Sequence, residues 1–119
     1  MTIVNSPEYV KYLISTKGVL KLQNHVESQI LDLIREGETV RAEVEAAIHF
    51  FSKNLLALTQ PYMERAKYLL STKEVLQIQS DVESEILDIA KDSTLICNSD
   101  LQGIVSVMVD KFSAKLLNI

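Results

Sequence analysis

"KYLISTKGVLKLQNHVESQILDLI" occupies residues 11–34 and "KYLLSTKEVLQIQSDVESEILDIA" occupies residues 67–90, identical at 15 of 24 aligned positions. Self-similarity at a fixed offset is the signature of a repeated structural unit. The likeness resumes downstream, where "FSKNLLAL" at 51–58 aligns with "FSAKLLNI" at 112–119. The offset is 56 residues in the first block and 61 in the second, so five extra residues lie between the matched blocks, in "KDSTLICNSD". Each copy, about 7–58 and about 61–119, reads as a helical hairpin. A unit of that size is marginal on burial alone. Two such hairpins packed together predict an all-α four-helix bundle with pseudo-two-fold symmetry, residues 1–119 forming a single domain.

Punctuation residues set the expected helices. Pro7 after Ser6 and before Glu8 reads as a capped helix start. Gly37 suits a left-handed C-cap, Thr39 caps the next helix, and Pro61 restarts the chain. Ser99 and Gln102 have capping-box spacing. The expected helices are 7–36, 40–58, 61–91 and 100–118. Within the last, "GIVSVMV" at 103–109 has strand-like alternation, but its length and cap favour helix.

Steps of four and three place one apolar stripe on each helix. The first runs Tyr12, Thr16, Val19, Gln23, Val26, Ile30, Leu33, and its copy runs Tyr68, Thr72, Val75, Gln79, Val82, Ile86, Ile89. The others are Val40, Val44, Ala47, Phe51, Leu55, Leu58 and Leu101, Val105, Met108, Phe112, Leu116, Ile119. Thr16, Gln23 and Glu27, with their copies Thr72, Gln79 and Glu83, interrupt the apolar face. A buried unpaired polar group costs about 1–3 kcal/mol, so these side chains are expected to find partners. They read as a polar layer that sets register, with the glutamates at its edge. The sharper alternative is a ligand- or metal-binding bundle, possibly an enzyme, built on Glu27 and Glu83.

Chemistry finds little support. The Glu-x-x-His pairs of di-iron bundles are absent, and His25 and His49 are expected on outer faces. Neither a phosphate-binding glycine loop nor a Ser–His pair at helical spacing is present. Cys97 has no adjacent base to lower its pKa and reads as a small loop residue. No catalytic residue, metal ligand or cofactor is assigned.

Bulk properties narrow the class further. Apolar residues make up 47% and charged residues 24%, a globular composition. A net charge of −4 with scattered Lys and Arg disfavours nucleic-acid binding. One cysteine excludes an internal disulfide framework and points to a reducing cytoplasm. "MTIVNSPEYV" lacks the pattern of a signal peptide, and no apolar run approaches a membrane span.

The remaining lead is a set of apolar residues off the stripe. Straight helices place Val10, Ile14, Ala66 and Leu70 outside the core near the starts of the two long helices, with Leu56 and Leu117 on the outer sides of the others; a bend at "STKG", residues 15–18, would instead turn Ile14 inward. Gathered into patches, these suggest a partner-binding face and a homodimer. The sequence therefore reads as a non-enzymatic helical interaction protein: an adaptor, chaperone, inhibitor or regulator that presents helix faces to a partner protein.

Overall fold

The structure, a computed structural model, describes residues 7–36, 41–60, 62–92 and 96–118. All regular structure in this part is helical. The elements are α1 (Pro7–Ser15), α2 (Lys17–Arg35), α3 (Arg41–Thr59), α4 (Met63–Leu70), α5 (Lys73–Lys91) and α6 (Asn98–Leu117). The expected caps at Ser6, Gly37 and Thr39, and the restart at Pro61, lie outside the described residues. Residues 103–109 are helical, inside α6. The cap of α6 differs from expectation: its N-cap is Cys97, and Ser99 already lies in the first turn.

Two expected helices are each broken once, at aligned positions of the two matching segments 11–34 and 67–90. Thr16 and Thr72 adopt extended backbone, φ −71° ψ 149° and φ −74° ψ 151°, and act as N-caps of α2 and α5. The preceding turn is closed by hydroxyls. Ser15 Oγ donates to the Tyr12 carbonyl and Thr16 Oγ1 to the Leu13 carbonyl, both at 2.7 Å. Ser71 and Thr72 repeat this on Tyr68 and Leu69, again at 2.7 Å. Short hydroxyl side chains bonded to nearby backbone offer the chain an alternative to continuing a helix. This accounts for the identity of "STK" in both copies, residues 15–17 and 71–73.

The break rotates α1 and α4 relative to the helices that follow, and this corrects the expected surface patch. Val10, Leu56 and Leu117 are buried, at 7%, 0% and 1% exposure, and Ile14 and Leu70 pack partly buried against the core. Ala66 is buried too. Conversely, Tyr12 and Tyr68, assigned to the core by a straight stripe, are each 63% exposed. Leu58, also assigned to the core, is exposed.

Past the break most of the stripes hold, although Leu33 and Ile89 are only partly buried, and Val40 and Ile119 lie outside the described residues. Val19, Val26, Ile30, Val75, Val82 and Ile86 are buried, as are Val44, Phe51, Leu55, Val105, Phe112 and Leu116. The Phe51 and Phe112 rings, equivalent in the two repeats, meet with centroids 5.9 Å apart. The buried apolar side chains form one continuous cluster.

The helix neighbours decide which surfaces are left open. α2 packs on α3 and α6, and α5 packs on α3 and α6. The short helices cross between the hairpins: α1 lies on α6 and α2, and α4 lies on α3 and α5. This second covering explains the burial of Leu56 on α3 and Leu117 on α6, whose outer sides α4 and α1 occupy. Among the described residues no helix is long and apolar enough to cross a membrane.

Candidate interaction faces

The α2–α3 and α5–α6 seams are not covered by α1 or α4, and each carries a surface groove. In the α2–α3 groove, glycine allows a close approach. A Cβ on Gly18 would lie 2.8 Å from Leu58 Cδ2, so any larger residue would displace the leucine tip. Lys21, Leu22, His25, Phe50, Ala57 and Leu58 line about 540 Å3 here. Phe50 is half exposed, and its ring faces His25 with centroids 6.1 Å apart. Beyond Phe50 the groove continues for about 430 Å3 along Gln29, Asp32, Leu33, Glu43 and Ala46. The Gln29 Oε1 atom at this end is buried and has no hydrogen-bond partner among the described residues.

The α5–α6 groove is concentrated at one end. Its wide part, about 820 Å3, is lined by Glu85, Ile89, Ile96, Asp100, Ile104 and Val107, with Met108 and Lys111 at its inner edge. Ile104 and Val107 are both exposed. The groove narrows past Lys111 into a cleft of about 40 Å3 beside Ile78, Asp81 and Lys115.

The polar layer lies elsewhere, on the seams between hairpins, and its two copies differ. Gln23 is buried at 3% exposure, and its Nε2 donates to Asp110 Oδ1 at 3.0 Å and to Ser113 Oγ at 3.1 Å. Ser113 Oγ in turn donates a hydrogen bond to the Val109 carbonyl at 2.8 Å. Gln79 is buried as expected, but its Nε2 has no partner among the described residues, contrary to the expectation that each amide is paired. Thr16 and Thr72 are not inward polar groups awaiting partners; they form the helix breaks described above.

Glu27 and Glu83 are half-buried and do not meet as a pair. Burial raises the Glu27 pKa above the usual carboxylate range; the Asp110 charge adds to the rise and a Ser106 hydrogen bond opposes it. Burial likewise raises Glu83, the Glu45 charge adds, and Arg41 opposes. Arg41 itself is paired with Glu45 at 3.0 Å. Each glutamate thus faces a different helix. Among the described residues no group of three or more His, Cys, Asp or Glu side chains could hold a metal ion. Cys97 is exposed, with its Sγ 3.4 Å from Ser99 Oγ.

The structure therefore moves the candidate site from Val10, Ile14, Leu56, Leu70 and Leu117, which are core or core-facing, to Phe50, Leu58, Ile104 and Val107. A sequence signal for the latter existed. Aligned core positions such as Phe51 and Phe112 are kept between repeats, whereas Glu43 aligns with Ile104, Ala46 with Val107 and Phe50 with Lys111. No protein-family model matches the chain, and no solved structure matches it.

Proposed function

We propose that this chain is a non-enzymatic helical interaction protein, built as a pseudo-two-fold four-helix bundle from two sequence-related hairpins, whose two open faces bind protein partners. The duplicated break at Ser15–Thr16 and Ser71–Thr72 supports the repeat. So does the exchange of short helices, α1 onto α6 and α4 onto α3, which are aligned partners under the same offsets. The long helices then follow the cyclic order α2, α3, α5, α6, which puts the two open seams on opposite sides of the bundle.

One observation carries the functional reading: large apolar side chains are exposed on the two seams that no other helix covers. Phe50, Leu58, Ile104 and Val107 are 50%, 54%, 40% and 54% exposed. Single exposed apolar residues are ordinary, but apolar residues gathered in a groove with a polar rim mark protein-binding surfaces. A groove between two helices suits an amphipathic helix or helix pair of a partner.

The test compares capture of partner proteins by the wild-type chain and by Phe50→Glu and Val107→Glu, with circular dichroism confirming the fold of each. The proposal expects a partner held by the wild type and lost with at least one of these variants. Capture that is indifferent to both substitutions contradicts it.

A further inference from the structure

We infer that the two open faces fit each other, so that the α2–α3 face of one molecule binds the α5–α6 face of a second copy, head to tail. This rests on the reading of those faces as binding surfaces and names the occupant. The basis is the match of charge and apolarity between the two grooves.

The α2–α3 groove has an apolar, basic end and an acidic end. Lys21 and His25 stand beside Leu22, Phe50 and Leu58 at the first. Asp32 and Glu43 stand at the second. The α5–α6 groove is arranged the other way. Its apolar end, with Ile89, Ile96, Ile104 and Val107, carries the acids Glu85 and Asp100 and one base, Lys111, at the boundary. Its narrow end carries Lys111 and Lys115 together with the acids Asp81 and Glu85.

Laid antiparallel, the grooves match on both counts. The Leu58 end meets the Ile104 end, apolar on apolar, with Lys21 and His25 facing Glu85 and Asp100. The Glu43 end meets Lys111 and Lys115. Asp81 and Glu85, which also line the narrow end, face like charge there; Asp81 accepts a hydrogen bond from Gln77 Nε2 at 2.8 Å, and Glu85 borders the apolar end as well.

Either face against its own copy matches less well. An antiparallel pair of α2–α3 faces also sets bases over acids, but it lays Leu22 and Leu58 over Asp32 and Glu43. Two α5–α6 faces would lay Ile104 and Val107 over Lys111 and Lys115. Only the mixed pairing lays apolar end on apolar end while bringing Lys111 and Lys115 to Asp32 and Glu43. The molecule measures 48 × 25 × 18 Å over its Cα atoms, so a full side is of the size of a standard interface, about 800 Å2 per partner. Because the faces lie on opposite sides, each copy has one of each free after docking. Such a heterologous contact propagates into chains or rings rather than stopping at a two-fold dimer.

The experiment is sedimentation velocity from micromolar to near-millimolar concentration, on wild type, Phe50→Glu, Val107→Glu and an equimolar mixture of the two variants. Wild type is expected to form species beyond a dimer as concentration rises, with association weakened by salt. Each variant alone has one blocked face and should self-associate at least about tenfold more weakly. The mixture should form a discrete heterodimer, since each variant keeps the face that the other has lost. Both substituted side chains are exposed, and the charge reversals Lys21→Glu and Glu85→Lys give a second pair if either variant loses helicity. Wild type that stays monomeric overturns the inference, while a face-dependent foreign partner would still uphold the proposed function. A closed dimer formed by either variant alone, or a mixture no more associated than its components, also overturns it.

Discussion

The Gln23 amide donates to Asp110 Oδ1 at 3.0 Å, tying the middle of α2 to α6 through two otherwise apolar helix faces. Its repeat equivalent, Gln79, is equally buried, yet its amide nitrogen has no such acceptor among the described residues. The positions aligned with Asp110 and Ser113 are His49 and Ser52. Ser52 is buried and donates to the Ile48 carbonyl at 2.7 Å, while His49 is exposed. The position aligned with Asp110 thus carries no carboxylate to accept from the Gln79 amide.

The asymmetry predicts opposite responses to one change. Gln23→Leu strips Asp110 of a donor and should cost about 1–2 kcal/mol. Gln79→Leu replaces an amide whose nitrogen is unpaired and should be neutral or stabilising. Urea denaturation of both variants checks this, read from midpoints at constant slope. Equal destabilisation would mean that Gln79 is satisfied in solution.

The helix breaks give a second prediction. Thr72 Oγ1 accepts from the Val75 amide at 3.4 Å as well as donating to Leu69. Loss of a threonine cap costs about 0.5–2 kcal/mol. Thr72→Ala should fall in that range and should speed amide exchange in α4 more than in α5, because the break is what docks α4 onto α3. Unchanged exchange in α4 would mean that packing alone fixes the angle.

Acid titration gives a third. Glu27 and Glu83 have pKa values raised in the folded state, so the fold binds their protons more tightly than the unfolded chain does. For an acid this sign means that ionisation disfavours the fold. Stability from these two groups should rise as pH falls from neutral through their folded pKa values, levelling below the usual carboxylate range. Both side chains remain largely in contact with solvent, so the slope is shallow. Glu27→Gln with Glu83→Gln should flatten it, as measured by denaturation midpoints across mildly acid pH. A slope of the opposite sign in wild type, or one untouched by the double substitution, contradicts the assignment.

Much of the core was legible because Val19, Val26 and Ile30, with their copies, recur at helical spacing on long uninterrupted segments. The break at Thr16 was legible only as the alternative of a bend at "STKG", because serine and threonine hydroxyls bond to preceding carbonyls both inside continuing helices and at their ends. A stripe drawn straight through that point puts Tyr12 inside and Val10 outside, the reverse of what is found. Leu56 and Leu117 were misplaced for a related reason. A single-stripe reading gives each helix one buried face, whereas α3 and α6 have two, the second covered by the short helices. Phe50 and Val107 were passed over because they sit between stripes, and only the helix neighbours reveal that nothing covers them.

The central claim about self-association is that copies of the chain meet through the two open faces. Hydroxyl-radical footprinting of the wild-type chain at low and at high concentration tests it most directly. The account predicts that labelling of Phe50, Leu58, Ile104 and Val107 falls together at high concentration, while the exposed tyrosines Tyr12 and Tyr68 on α1 and α4 stay fully labelled. Protection of Tyr12 and Tyr68 instead, protection of one open face without the other, or no change at any concentration would contradict it.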